Sequence, residues 1–95
     1  NHTVVITDRD QVIAIAGESM EYNIGDSIKA EIEEVVNHRR TLTVTEDKSK
    51  VIAPIIAQGD VMGTVMMTQK GQKIDEIAIK LADTACKFLA KNIEE

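Results

Sequence analysis

Residues 51–67 read VIAPIIAQGDVMGTVMM, two apolar runs joined by the polar turn Gln58-Gly59-Asp60. Such a pattern signals a β-hairpin, because glycine adopts the positive φ that tight hairpin turns need. The arms, 51–57 and 61–67, do not alternate between apolar and polar side chains. A strand that is apolar on both sides belongs in a sheet covered on both faces. The hairpin therefore predicts a sandwiched sheet with these two strands near its centre. Pro54 lacks an N–H and so calls for a bulge or an unpaired position in its strand.

The other segments can be ordered around that hairpin. The β-branched run at 3–7 (TVVIT) reads as a first strand, Asp8-Arg9-Asp10 as a turn, and 11–16 (QVIAIA) as a second strand ended by Gly17-Glu18-Ser19. Residues 20–26 are polar and read as a loop. Gly25-Asp26-Ser27 looks like a helix start with Asp26 or Ser27 as N-cap. Ile28, Ile32, Val35 and Val36 then form one apolar stripe, with Lys29, Glu31, Glu33 and Glu34 on a solvated face. His38-Arg39-Arg40 sits where that helix should stop, and its positive charge suits the helix dipole. Residues 41–45 (TLTVT) alternate strictly, which places this short strand at a sheet edge with one wet face. Residues 46–50 read as a charged turn and 69–73 as a linker.

The last helix is expected from 74 or 75 to 92, with Asp75 and Glu76 in its first turn. It carries two apolar stripes, Ile77-Leu81-Ala85-Phe88 and Ile74-Ala78-Ala82-Cys86-Leu89-Ile93. A helix wet on one side needs only one. The second stripe asks for a further helix alongside, from a missing segment or another subunit. Ile77, Leu81, Phe88 and Leu89 are the residues expected at a homo-oligomer interface. The resulting class is α+β, a five-stranded antiparallel-rich sheet with helices on both faces.

Composition narrows the function classes. Ninety-five residues make one small domain, and a hydrophobic fraction of 43% permits one core. That core is aliphatic, since Tyr22 and Phe88 are the only aromatics. A net charge of −5 sets the general surface against phosphate backbones, and the domain lacks the aromatic platforms that stack single-stranded bases. The single cysteine excludes an internal disulfide framework and fits a reducing, cytoplasmic setting. No apolar run reaches the roughly 20 residues that span a bilayer, so no membrane contact is expected.

Chemistry-bearing residues are few. His2, His38 and Cys86 stand at unrelated spacings and make no metal motif. Cys86, mid-helix on an apolar stripe, reads as a small buried hydrophobe. Ser19, Ser27 and Ser49 lack a histidine neighbour or a nucleophile elbow. Glu33 and Glu34 are adjacent on a helix and cannot face one site. No catalytic residue and no cofactor are expected. His38 is by default a helix-end residue; its functional reading is that His38, Arg39 and Arg40 edge a pocket for an anion. Met62, Met66 and Met67, with Met20, are core packers by default and an adaptable pocket lining otherwise.

Pro54, Gly59 and Gly63 carry a family resemblance. An apolar strand with proline, a short glycine turn and a second glycine within the next strand resemble a GAF domain. VVITDRDQVIAIAG, IGDSI and ACKFLAKNIEE extend the likeness over nearly the whole chain, most closely to the GAF domains of AbrB-type sporulation regulators. The resemblance implies a regulatory sensor and oligomerisation domain. Its parent would bind DNA through an N-terminal swapped-hairpin domain and regulate transcription in the forespore. It implies that this chain, 1–95, is a single domain lacking both that DNA-binding domain and a first helix that pairs with the last one. The implied pocket lies between sheet and middle helix, rimmed by 17–26 and 46–50. Tyr22 is the foremost ligand candidate, with His38, Arg39 and Met62 beside it. The alternative is a small-molecule-binding GAF domain of a signalling enzyme whose catalytic domain lies elsewhere. A stand-alone enzyme is disfavoured, because the reactive pocket cysteines, bilin-attachment cysteine and cyclic-nucleotide signature of other GAF proteins have no counterpart here.

Overall fold

The computed structural model describes residues 2–17, 21–44, 49–69 and 75–94. The expected elements that fall at 18–20, 45–48 and 70–74 lie outside that set. Five strands and two helices follow in the order β1 (His2–Thr7), β2 (Val12–Ala16), α1 (Ala30–His38), β3 (Leu42–Val44), β4 (Ser49–Ala57), β5 (Asp60–Gln69) and α2 (Glu76–Glu94). They build one sheet in the order β2-β1-β5-β4-β3, with every neighbouring pair antiparallel. The hairpin strand β5 is its centre, and β3 is an edge, both as read from sequence.

The sheet has a core on each face, which is why the hairpin does not alternate. Toward α2 stand Val51, Ala53, Ile55, Ala57, Val65 and Met67, packed on Ala82, Cys86 and Ala90. Toward α1 stand Val5, Ile52 and Met66, packed with Val12, Tyr22, Ile32 and Val35. Successive residues of β4 and β5 thus enter opposite cores, as the period-2 geometry of a strand requires. Pro54 pairs with Thr64, and the register shift comes one residue later, between Ile55 and Ile56. The pairing of β3 with β4 ends at Ile52, so no strand flanks Pro54 on that side.

Three glycine or turn positions shape the hairpins. Gln58 and Gly59 both have positive φ, 54° and 83°, as a two-residue type I′ turn demands. Gly63 lies under the end of β1, where a Cβ would stand 2.0 Å from the Thr7 carbonyl oxygen. In the first turn the Asp8 carboxylate accepts the backbone N–H groups of Asp10 and Gln11, both at 2.8 Å.

The first helix starts later than its sequence signal. Gly25-Asp26-Ser27 is a turn and a strand-like contact, not a helix cap. The Asp26 carboxylate accepts the Asn23 N–H at 2.8 Å, and Ser27 forms a bridge with Gln11. Backbone bonds from Val12 N–H to Asp26 O, Gly25 N–H to Val12 O and Ile28 N–H to Asp10 O tie this stretch beside β2. These ladder bonds satisfy backbone groups that a helix would otherwise have used, and α1 begins only after Lys29, which makes no side-chain cap bond. Ile28 therefore joins the α1-side core from outside the helix. By contrast, Asp75 caps α2, its carboxylate accepting the Ala78 N–H at 2.8 Å.

Candidate functional site

Two regions hold chemistry or surface that a core does not need. One is a polar knot on the α1 face. Tyr22 is 1% exposed, its ring in the apolar core, while its hydroxyl donates to Glu31 Oε2 at 2.9 Å. Lys50 Nζ donates to the same Glu31 oxygen at 2.8 Å and to Glu21 Oε2 at 3.1 Å. Lys29 Nζ stands 4.5 Å from the centre of the Tyr22 ring and donates to the Glu21 carbonyl at 3.0 Å. The knot thus joins β4, α1 and the segment before α1.

Its electrostatics are mutually supporting. Burial alone would raise the Glu31 pKa, but hydrogen bonds from Lys50 and Tyr22 and the charges of Lys50 and Lys29 hold it below the usual carboxylate range. Burial would lower Lys50; its bonds to Glu31 and Glu21 outweigh that and raise it. Burial, then the hydrogen bond to Glu31, pushes the Tyr22 hydroxyl up. The knot is an ammonium held between two carboxylates, with a phenol kept neutral as a donor.

The sequence marks Tyr22 only as a ligand candidate, and neither Lys50 nor Glu31 stands out in it as a partner. Lys50 reads from the sequence as part of a charged turn, yet it lies in β4 and is buried, because it shares the α1-side face of that strand with Ile52. Glu31, read from the sequence as solvated, stands four residues before the buried Val35 and so flanks the inner face of α1, where it meets Lys50. The signal available was the two-residue spacing of Lys50 and Ile52 in a strand longer than expected.

The other ligand candidates are not brought to this knot. Met62, 38% exposed, lies near the turn end of β5, while Met66 and Met67 are buried. His38 and Arg40, with Glu34, Val35, Thr41 and Leu42, line a separate cleft of about 230 Å³. That is smaller than the roughly 300–1,000 Å³ usual for small-molecule sites. His38 Nδ1 is 3.0 Å from the Glu34 carbonyl at the C-terminal end of α1, where the partial charge is negative and disfavours an anion. Arg39 adopts a left-handed conformation, φ 59°, and its N–H donates to Val35 O to close the helix.

The second region is the outer face of α2. Ala78, Ala82, Cys86 and Ala90 meet the sheet and are buried, and their small size brings helix and sheet close. Ile77, Leu81 and Phe88 point away, at 68%, 55% and 66% exposed, and Ile93 is 50% exposed. Leu89 is half-buried and packs against the sheet-side core. The helix thus turns its one aromatic residue outward together with Ile77 and Leu81, while Ile79 and Leu89 pack inward. Cys86 Sγ donates to the Ala53 carbonyl at 3.3 Å, and burial pushes its thiol up to about 12, so it has no thiolate character at neutral pH. Among the described residues no group of three or more His, Cys, Asp or Glu could hold a metal ion, and no helix is long and apolar enough to cross a membrane.

An antiparallel sheet of this order, covered by one helix on each face, has the GAF fold. It superposes on the GAF domain of an Acinetobacter phosphoenolpyruvate-protein phosphotransferase with a TM-score of 0.74, 17% identity, and coverage of 94% of this chain and 68% of that one. The type II free methionine-R-sulfoxide reductase of Thermoplasma acidophilum gives 0.71 at 13% identity over 94% and 76%. The cofactor-binding GAF domain of the nutrient sensor CodY from Clostridium difficile gives 0.69 at 14% over 97% and 74%. Identities this low speak for the fold alone.

Within that fold, residues 1–94 match the family model described as stage V sporulation protein T C-terminal, transcription factor, and the chain belongs to that family. It is 31% identical over 107 aligned positions to stage V sporulation protein T of Bacillus subtilis (strain 168), covering 99% of this chain and 60% of that relative's length.

Proposed function

We propose that this domain is the regulatory and assembly-forming part of a sporulation transcription factor, acting in the cytoplasm without catalysis of its own. The observation that carries the reading is the outer face of α2. Ile77, Leu81 and Phe88 recur at spacings of four and seven residues and are more than half exposed, while small residues face the domain's own sheet. Large apolar side chains in one such row form a seam that another helix can cover. A second copy of the domain, joined through this face, is the occupant we infer. DNA contact by the parent protein would come from a segment other than this acidic domain.

Small-molecule sensing is the finer part of the reading. Its support is the polar knot at Tyr22, which lies where the family's pocket is expected, between sheet and α1. The reading as a non-enzymatic module is supported by the family and by the sealed thiol of the single cysteine.

Sedimentation-velocity analysis of the domain and of Leu81→Lys and Phe88→Lys variants tests the assembly. The native chain should sediment as a dimer or larger, and the variants should shift toward the monomer with unchanged far-ultraviolet circular dichroism. A native chain that stays monomeric at high micromolar concentration would remove the reading.

A further inference from the structure

The segment 21–29 is held in an unusual way. Asn23, Ile24, Gly25, Ser27 and Lys29 are exposed, Ile24 at 68%, and Tyr22 alone among these nine residues is fully buried. Packing of its own side chains therefore rests on the Tyr22 ring and, at its end, on the half-buried Ile28. What ties it down, among the described residues, is of two kinds. Three backbone bonds run to the start of β2 and the turn before it: Val12 N–H to Asp26 O at 2.8 Å, Gly25 N–H to Val12 O at 2.8 Å, and Ile28 N–H to Asp10 O at 3.1 Å. The other tie is the knot in which Lys50 holds Glu21 of the segment and Glu31 of the helix that follows it.

We propose that residues 21–29 form a strap that opens as a unit, with Tyr22 as its plug and Lys50 as its latch. Gly25, at φ +93° with open space around its α-carbon, lets the exposed turn reshape without collision. The floor of the plug is the α1-side core that Tyr22 joins, with Val5, Val12, Ile32, Val35, Ile52 and Met66, residues that belong to the sheet and α1 and keep their other packing when the ring leaves. Opening costs the exposure of that apolar floor to water and the bonds named above, whereas global unfolding would cost both cores. Segments with few buried apolar contacts and edge-type backbone bonds open locally, below the global free energy. The ammonium of Lys50 bonds both Glu21 of the strap and Glu31 of the helix, and Glu31 in turn accepts from Tyr22, so Lys50 anchors the whole knot to β4 as the latch. The strap lies on the α1 face and the proposed assembly on the α2 face, so either can fail without the other.

Amide hydrogen exchange of the full 95-residue chain, read residue by residue, decides the matter. Val12 is the telling amide, because it lies in β2 but donates to the strap. Val12, Gly25 and Ile28 should exchange together, at one rate, faster than the amides of β4 and β5. Glu21→Gln weakens one half-exposed arm of the latch and should speed those three amides about fivefold, leaving β4, β5 and α2 unchanged. Lys50→Met removes the latch and leaves two carboxylates facing each other, so the same amides should speed by about a hundredfold or more. The strap is overturned if the three amides exchange with the central strands in the native chain, or if Glu21→Gln speeds all amides alike or none. Should Lys50→Met fail to fold, the Glu21→Gln comparison settles it alone.

Discussion

A methyl group added at Gly63 has nowhere to go, since the atom it meets is backbone rather than a movable side chain. We expect Gly63→Ala to destabilise the domain by about 3 kcal/mol or to prevent folding, measured by urea denaturation. Arg39 is the opposite case. It holds a left-handed φ of 59° with no buried role, so Arg39→Gly should stabilise by up to about 1 kcal/mol. Glu31 carries a pH signature. Its folded pKa is depressed, so its contribution is complete above the ordinary carboxylate pKa of about 4.3 and is lost as pH falls through the lower folded value. Lys50 is raised, so its contribution is complete below its ordinary value near 10.4 and is lost as pH rises through the folded one. Calorimetry should show Glu31→Gln melting below the native chain at pH 7, with the gap narrowing at pH 3. At this scale the sequence spoke through glycine. Gly59 was readable from the turn and Gly63 only as part of a family pattern, since its close approach to Thr7 is made by a distant strand, while the positive φ of Gln58 was hidden by an unremarkable side chain. The ion knot was hidden for a different reason, since charge next to a turn normally means solvent.

At the scale of elements, periodicity located the strands and both helices but could not locate where a competing backbone partner would intervene. Gly25-Asp26-Ser27, which reads as a helix start, forms a turn instead. The backbone bonds to β2 decided that it would not open a helix. In α2 both apolar stripes could be read from the sequence, and size tells which one meets the sheet. Ala82 is fully buried and Leu81 is 55% exposed, so the helix can be probed from both sides. Ala82→Leu should cost about 1–3 kcal/mol by overpacking. Leu81→Ala should cost under about 0.5 kcal/mol in the isolated domain and more wherever a partner covers that face, as thermal melts at low and high protein concentration would reveal.

For the molecule as a whole, one sheet serves two unlike cores. Among the described residues the α2 side is built of aliphatic groups, the Met67 thioether and one thiol. The α1 side combines apolar walls with an ammonium, carboxylates and a phenol, groups whose interactions can be exchanged for others. Stability and responsiveness are thus separated by the thickness of a single sheet. Tyr22 makes this division visible in solution. The chain has no tryptophan and one tyrosine, so the near-ultraviolet spectrum belongs almost entirely to the plug, whereas the far-ultraviolet signal belongs to the helices and sheet. Two optical probes of one small protein therefore watch two different structures. Their melting curves should separate, with the tyrosine signal leaving first, and the interval between them is a direct optical measure of the range over which the α1 face is open while the fold persists.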